Sequence, residues 1–357
     1  MIMDEAKDIR PGEELPVDSL QRYLESALPE FQSILDVQQF PGGFSNLTYL
    51  IETNLGQLVL RRPPFGTHVK TAHDMGREFR VLTSLQPVYS KIPKPVLLCE
   101  DPEVLGAPFY LMERVEGVIL RNRPQKDLDL NPGVMKGLSE AFIDNLADLH
   151  NLDIDSAGLG ALGKPEGYIA RQVEGWIERY YRAETEPIGT MNLLADWMRT
   201  NSVPDGSPSL LHNDYKYDNL VLDPENLTRI RAVLDWEMCT IGDPRMDLGL
   251  SMAYWIEPEE INPLVASIGN LTWLPGNLSR EGLLERYASR KGGKGLEHIL
   301  FFFVFGLFKI GVIVQQIYYR YKQGHTQDPR FAPLIEAVHW FGDRGRKALE
   351  LDGVKGS

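Results

Sequence analysis

Within residues 212–219, His212-Asn213-Asp214-Tyr215-Lys216-Tyr217-Asp218-Asn219, a carboxylate follows a histidine by two positions and an amide follows that carboxylate by five. The Asp can accept the proton of an attacking hydroxyl, and the Asn amide oxygen can ligate a metal ion. Twenty-one residues beyond Asp214, the alternating run Ile230-Arg231-Ala232-Val233-Leu234 ends in Asp235-Trp236-Glu237. Magnesium prefers one or two carboxylates, with water and substrate phosphates completing its shell. Asp235 alone would read as a turn residue at a strand end. Asp214, Asn219 and Asp235 together, in this order, point to phosphoryl transfer, in which positioning and charge neutralisation supply most of the catalysis.

A second group lies towards the N-terminus. Pro41-Gly42-Gly43-Phe44-Ser45-Asn46 separates two strand patterns. Gly42 and Gly43 would let backbone N–H groups approach phosphate oxygens, and Ser45 could add a hydroxyl donor. Alone, the segment reads equally as a hairpin turn. Arg61 ends the next strand and Glu78 follows 17 residues later on a helical pattern, where it could orient the guanidinium. The alternative is that Arg61, Arg62 and Glu78 are solvent-facing charges of small energetic value. Strand alternation sends either Arg61 or Arg62 to the site.

These residues need elements to hold them. Residues 47–53 and 57–61 are rich in β-formers around Asn54-Leu55-Gly56, which predicts a hairpin that Pro63-Pro64 stops. Residues 74–85 read as a helix, and strands are expected at 96–98 and 109–112. From about residue 131, helical periodicity dominates: Leu138, Phe142, Leu146 and Leu149 share one face. The expected fold is α+β, with a small β-rich lobe over residues 1–115 and a larger, mainly helical lobe over 116–357. Residues 299–308 are an unbroken apolar run interrupted by Lys309, too short for a span of about 20 residues, and are expected as a buried core helix.

Composition excludes several classes. Lys plus Arg number 37 and Asp plus Glu 50, for a net charge of −13, which argues against a reader of nucleic-acid phosphates. Two cysteines, Cys99 and Cys239, make neither a disulfide scaffold nor a zinc site. The acidic start lacks the basic and apolar regions of a signal peptide, so a cytoplasmic protein without membrane association is expected.

The segments GGFSNLTYLI, LVLRRPP, REFRVLTSL, FYLMERVEG, LHNDYKYDNLVLD, VLDWEMCTIGDPRMDLG and FKIGVIVQQIYYR resemble the aminoglycoside phosphotransferase and choline kinase-like superfamily. Within it they are most similar to the N-terminal kinase-like domain of bifunctional acyl-CoA dehydrogenases, and no dehydrogenase portion is expected among these residues. The resemblance implies a bilobal protein-kinase-like fold and an ATP- and Mg-dependent phosphotransferase. It implies Asp214 as base and Lys216 facing the transferred phosphate. Asn219 and Asp235 become the metal ligands, and Gly42, Gly43, Ser45 and Asn46 the phosphate loop. Arg61 with Glu78 would grip the nucleotide, and the Glu113 and Val115 backbone would hold adenine. His212 and Asp247 would brace the catalytic loop. The arginine where most kinases carry lysine, and the absence of D-F-G and A-P-E, resemble small-molecule kinases more than protein kinases.

The implied acceptor is an alcohol on a small molecule, with a hydroxyacyl-CoA-like metabolite favoured. An aminoglycoside or choline-type acceptor is the alternative; a protein Ser/Thr kinase and an inactive nucleotide-binding scaffold are others. Glu257, Glu259 and Glu260 could form the acidic site that a polycationic sugar needs, or a solvated helix start. The oligomeric state is open.

Overall fold

The computed structural model describes residues 5–41, 46–65, 74–125, 127–326 and 328–355. It comprises two compact units, the first of Met1–Ile119, Leu220–Asn226 and Ile230–Cys239, the second of Leu120–Asn219, Leu227–Arg229 and Thr240–Ser357.

The first unit begins with α1 (Val17–Ala27), β1 (Ile34–Gln39), β2 (Leu47–Thr53) and β3 (Gly56–Arg62). It continues with α2 (Met75–Leu85), β4 (Pro95–Cys99), α3 (Pro102–Leu105) and β5 (Phe109–Glu113). The strands form an antiparallel sheet in the order β1-β2-β3-β5-β4. Thr53 pairs with Gly56, whose φ of +105° a side chain would strain, so Asn54-Leu55 is the expected tight turn.

Side-chain alternation gives β3 two different faces. Leu58 and Leu60 join Tyr49, Ile51, Phe109 and Leu111 in a core against Leu20 and Leu24 of α1. Arg62 shares that register: its guanidinium is buried, donates to the Pro63 and Leu105 carbonyls, and lies 3.6 Å over the Phe65 ring. Arg61, one residue away, points to the opposite face. On α2, Asp74 caps the helix by accepting from the Arg77 N–H. That start places Glu78 on the buried face with Met75, Val81, Leu82 and Leu85.

The expected boundary at residue 115 omitted a later segment. After β6 (Ser209–Leu211), the chain forms β7 (Leu220–Asp223) and β8 (Asn226–Val233), and most of this hairpin belongs to the first unit. Val118 and Leu222 exchange both backbone hydrogen bonds, at 2.9 and 2.8 Å. The Val233 N–H donates to the Lys91 carbonyl, and the Trp236 ring meets Tyr89 edge-on. Local periodicity carries no record of such distant pairings.

The second unit adds β9 (Thr240–Gly242), antiparallel to β6, and the helices α4 (Pro132–His150), α5 (Tyr168–Ala183), α6 (Gly189–Thr200) and α7 (Pro244–Tyr254). They are joined by α8 (Pro263–Ile268), α9 (Arg280–Arg290), α10 (Ile299–Lys322) and α11 (Leu334–Leu351). Helix α10 is the only one among the described residues long and apolar enough to cross a membrane. Its Phe301–Val312 stretch is buried, packed against α5, α6, α7 and α11, so it is the core helix of this unit. Helices α7 and α10 approach so closely that a Cβ at Gly306 would sit 2.7 Å from the Gly249 carbonyl, and one at Gly249 would overlap the Phe302 carbonyl. Substituting Gly249 with Ala is therefore expected to destabilise the protein by about 3 kcal/mol, read from the midpoint of urea denaturation.

Candidate functional site

In the first unit, β3 and α2 bring Arg61 to Glu78. Its Nη1 donates to Glu78 Oε1 at 2.5 Å, and its Nη2 donates to Asp235 Oδ1 at 3.1 Å. Glu237 Oε2 lies 3.8 Å from the same nitrogen and accepts from Asn46 Nδ2 at 2.8 Å. Burial opposes the charge of Arg61, but Glu78, Tyr110, Asp235 and Glu237 outweigh it and raise its pKa. Burial pushes the Glu78 carboxyl up, with the Arg61 charge pulling against it. Asp235 has φ +68°, a left-handed conformation that costs a non-glycine residue about 1–3 kcal/mol and recurs at functional sites. Arg61 is thus the cation that meets Asp235, and Arg62 belongs to the core. Glu237, to which the sequence reading gave no role, is the second carboxylate beside Arg61.

Glu113 ends β5 with an exposed side chain that Lys94 Nζ meets at 2.9 Å. Val115, with Gln57, Arg114, Glu116 and Arg231, lines a surface cavity of about 520 Å³. Gly42, Gly43 and Ser45 lie outside the described residues.

In the second unit, β6 delivers the chain to His212 and α7 presents Asp247 in its first turn, after the Asp243 cap and Pro244. Asp247 is fully buried. It accepts from the His212 N–H at 2.6 Å and the Asn213 N–H at 2.8 Å, and His150 Nε2 lies 3.2 Å away. Burial alone would raise its carboxyl; the hydrogen bonds and charges of His150 and His212 overcome that and hold it below the ordinary value.

The bracing continues along the loop. His212 Nδ1 accepts from the Asp214 N–H at 3.2 Å. Asn213 takes φ +65°, which turns the loop so that Asp214 follows.

The Asp214 carboxylate is saturated with donors. Lys216 Nζ reaches Oδ1 and Oδ2 at 2.9 and 2.7 Å, Asn219 Nδ2 reaches Oδ2 at 2.9 Å, and the Tyr254 hydroxyl donates to Oδ1 at 2.9 Å. Burial pushes the Asp214 carboxyl up, but Lys216, His212 and Tyr254 bring it below the ordinary value. Asn219 also donates to the Asp214 carbonyl, so both its bonds use the NH₂ group and its amide oxygen is left as an acceptor for a cation. Tyr254, the last residue of α7, was not singled out by motif. Its signal was its place seven residues, two helical turns, after Asp247.

The 257–260 segment is the expected helix start, a short turn over Pro258–Glu260 capped by Glu257, and Glu259 is exposed on it, but Glu257 and Glu260 turn inward. Buried Glu257 and half-buried Glu260 pack against Arg280, which reaches them at 2.9 and 2.7 Å, and Arg344 Nε donates to Glu260 at 2.7 Å. Burial pulls the Arg344 pKa down to about 10.

An antiparallel sheet with a glutamate-anchored arginine, and a helical unit carrying a braced H-x-D-x-x-x-x-N loop, define the α+β, kinase-like fold. The chain belongs to the phosphotransferase enzyme family, whose profile matches residues 36–278. Acyl-CoA dehydrogenase family member 11 of Rattus norvegicus is 34% identical over 335 residues, 91% of this chain and 42% of that protein. The Gallus gallus protein of that name is 34% identical over 98% of this chain and 46% of its own length. The chain therefore spans less than half of these relatives. A Ralstonia eutropha structure, provisionally named an aminoglycoside phosphotransferase, superposes with a TM-score of 0.75 at 28% identity, covering 94% of this chain and 99% of that one. An aminoglycoside phosphotransferase solved with GDP and kanamycin has a TM-score of 0.59 at 17% identity over 93% and 97% of the two chains, and shares the fold.

Replacing Asp247 with Ala strands two backbone N–H groups and His150, and is expected to cost about 3–5 kcal/mol in urea denaturation. Because its carboxyl pKa is depressed on folding, its stabilisation is complete above the ordinary aspartate value, roughly pH 4, and is lost as pH falls through the depressed one. Asp247→Asn should flatten the acid side of the stability–pH curve.

Proposed function

We propose that the chain transfers the γ-phosphoryl group of Mg-ATP to a hydroxyl of a small-molecule alcohol. The observation that carries this reading is the Asp214 carboxylate, kept ionised and fixed by Lys216, Asn219 and Tyr254. An ionised Asp214 orients the acceptor hydroxyl and takes its proton late, as the bond to the leaving group loosens. Lys216, already a cation at the carboxylate, supplies positive charge to the transferred group. Arg61, fixed by Glu78, supplies it to the nucleotide phosphates, together with the segment 42–46. The backbone of Glu113 and Val115 receives adenine.

Asn219 and Asp235 are the metal ligands of this proposal. Magnesium, when bound, neutralises the β- and γ-phosphates. One carboxylate and one amide oxygen suit an ion that draws its other ligands from water and phosphate. Among the described residues, no group of three His, Cys, Asp or Glu side chains could hold a metal by itself.

For the acceptor, the names of the curated relatives favour a hydroxyacyl-CoA-like metabolite. A polycationic aminoglycoside would need several free carboxylates, and of the three glutamates Glu257 and Glu260 are already paired with Arg280 and Arg344, which leaves only the exposed Glu259 of that trio.

Asp214→Asn is expected to lower kcat by about 10²–10⁴-fold while leaving Mg-ATP binding by calorimetry nearly unchanged. Asp235→Ala should lose both. Full activity in Asp214→Asn would remove the base from this account. Initial rates with 4-hydroxyacyl-CoAs, choline and kanamycin test the acceptor: turnover of kanamycin alone would overturn the acyl-CoA preference.

A further inference from the structure

Helix α10 carries one charge inside its apolar stretch. Lys309 is 4% exposed, midway along a helix whose neighbours on either side are buried and apolar. Leaving an ammonium there without compensation costs several kcal/mol. Among the described residues, its one hydrogen-bond acceptor is the backbone carbonyl of Asn213, 3.3 Å from Nζ, and the Trp176 ring of α5 lies 5.4 Å away. The carbonyl belongs to the peptide that joins Asn213 to Asp214. The N–H of that same peptide donates to His212 Nδ1 at 3.2 Å, and the preceding N–H donates to Asp247 at 2.8 Å. The left-handed turn at Asn213 is thereby held from three sides: by α7 through its N–H, by Tyr168 of α5, whose hydroxyl lies 3.3 Å from the Asn213 side-chain amide, and by Lys309 of α10 through its carbonyl.

We infer that Lys309 is a positioning residue for the phosphotransfer reaction: its buried ammonium fixes the Asn213–Asp214 peptide plane and so aims the Asp214 carboxylate. The inference rests on the reading of Asp214 as the base. Helical packing of α10 does not need a charge at this position, since methionine would fill the same volume. The charges facing Lys309 are Asp214 and Lys216 of the loop, Asp247 of α7 and Arg179 of α5. Burial dominates over the two carboxylates and brings its pKa down from 10.5 to about 8. Loss of that proton removes the charge from the bond and leaves a neutral amine, a weaker donor to the carbonyl. Activity should therefore fall as pH rises past about 8, whereas this group's effect on folding runs the other way: stability increases from about pH 8 to 10.5, where only the unfolded chain holds the proton. A purely structural lysine would move activity and stability together.

The test compares the full chain with its K309M, K309R and D214N variants, measuring kcat, KM and urea midpoints from pH 6 to 9.5 with Mg-ATP and whichever alcohol the acceptor assay identifies. K309M is expected to lose about 10- to 100-fold in kcat at pH 7 with little change in KM, and to lack the alkaline limb. K309R, permanently charged, should recover part of kcat and retain it at pH 9.5. If K309M does not fold, the alkaline limb of K309R decides: its shift to higher pH supports the inference, and an unmoved limb overturns it. Wild-type kcat and an unmoved limb in K309M likewise overturn it. An active D214N overturns the base reading itself; an inactive D214N beside wild-type profiles for both Lys309 variants overturns this inference alone.

Discussion

A single buried carboxylate organises the chemistry of the second unit. Asp247 is fully buried, accepts from two consecutive backbone N–H groups and faces His150, so losing it would leave buried polar groups unpaired. The loop after β6 cannot straighten without abandoning both bonds. After the left-handed turn at Asn213, the half-buried Asp214 carboxylate is held by Lys216, Asn219 and Tyr254. Asp247 thus fixes the loop, while Lys216, His212 and Tyr254 keep the Asp214 carboxyl low. The α7 helix supplies Asp247 from its first turn and Tyr254 from its last, so one rigid element grips the loop both beneath and beside the carboxylate.

The first unit solves the corresponding problem for a cation. Arginine is charged at any accessible pH, so the difficulty is orientation rather than ionisation. Glu78, buried on α2, anchors one nitrogen of Arg61, and the other meets Asp235 in a left-handed conformation of its own. The two non-glycine residues that carry such strain beside the chemistry, Asn213 and Asp235, each lie in a segment tied down by side-chain or backbone hydrogen bonds. Strain of this kind persists only where the surroundings over-determine it.

Much of this was legible in the sequence because short-range spacing encodes it. The turn at Asn54-Leu55, the helix after Asp74, the apolar face of α4 and the H-x-D-x-x-x-x-N order are all local. Lys309 was visible too, as the charge that ends an apolar run, although its partner 96 residues earlier was not. What escaped was long-range. The return of β7 and β8 to the first unit depends on pairing between Val118 and Leu222. The fate of Glu257 and Glu260 depended on Arg280 and Arg344, which no periodicity links to them. The ambiguity between Arg61 and Arg62 disappears once α1 and α2 are known to cover opposite faces of β3. Tyr254 carried only the faint signal of its place two helical turns after Asp247, and Glu237 is marked by three-dimensional proximity.

The most direct measurement is a ³¹P NMR time course of the chain with Mg-ATP and a pool of hydroxylated metabolites, run in parallel on Asp214→Asn. The account predicts a phosphate-monoester resonance that grows in step with ADP, requires magnesium, and is missing from the variant. ADP accompanied only by inorganic phosphate, at equal rates in both proteins, would contradict it.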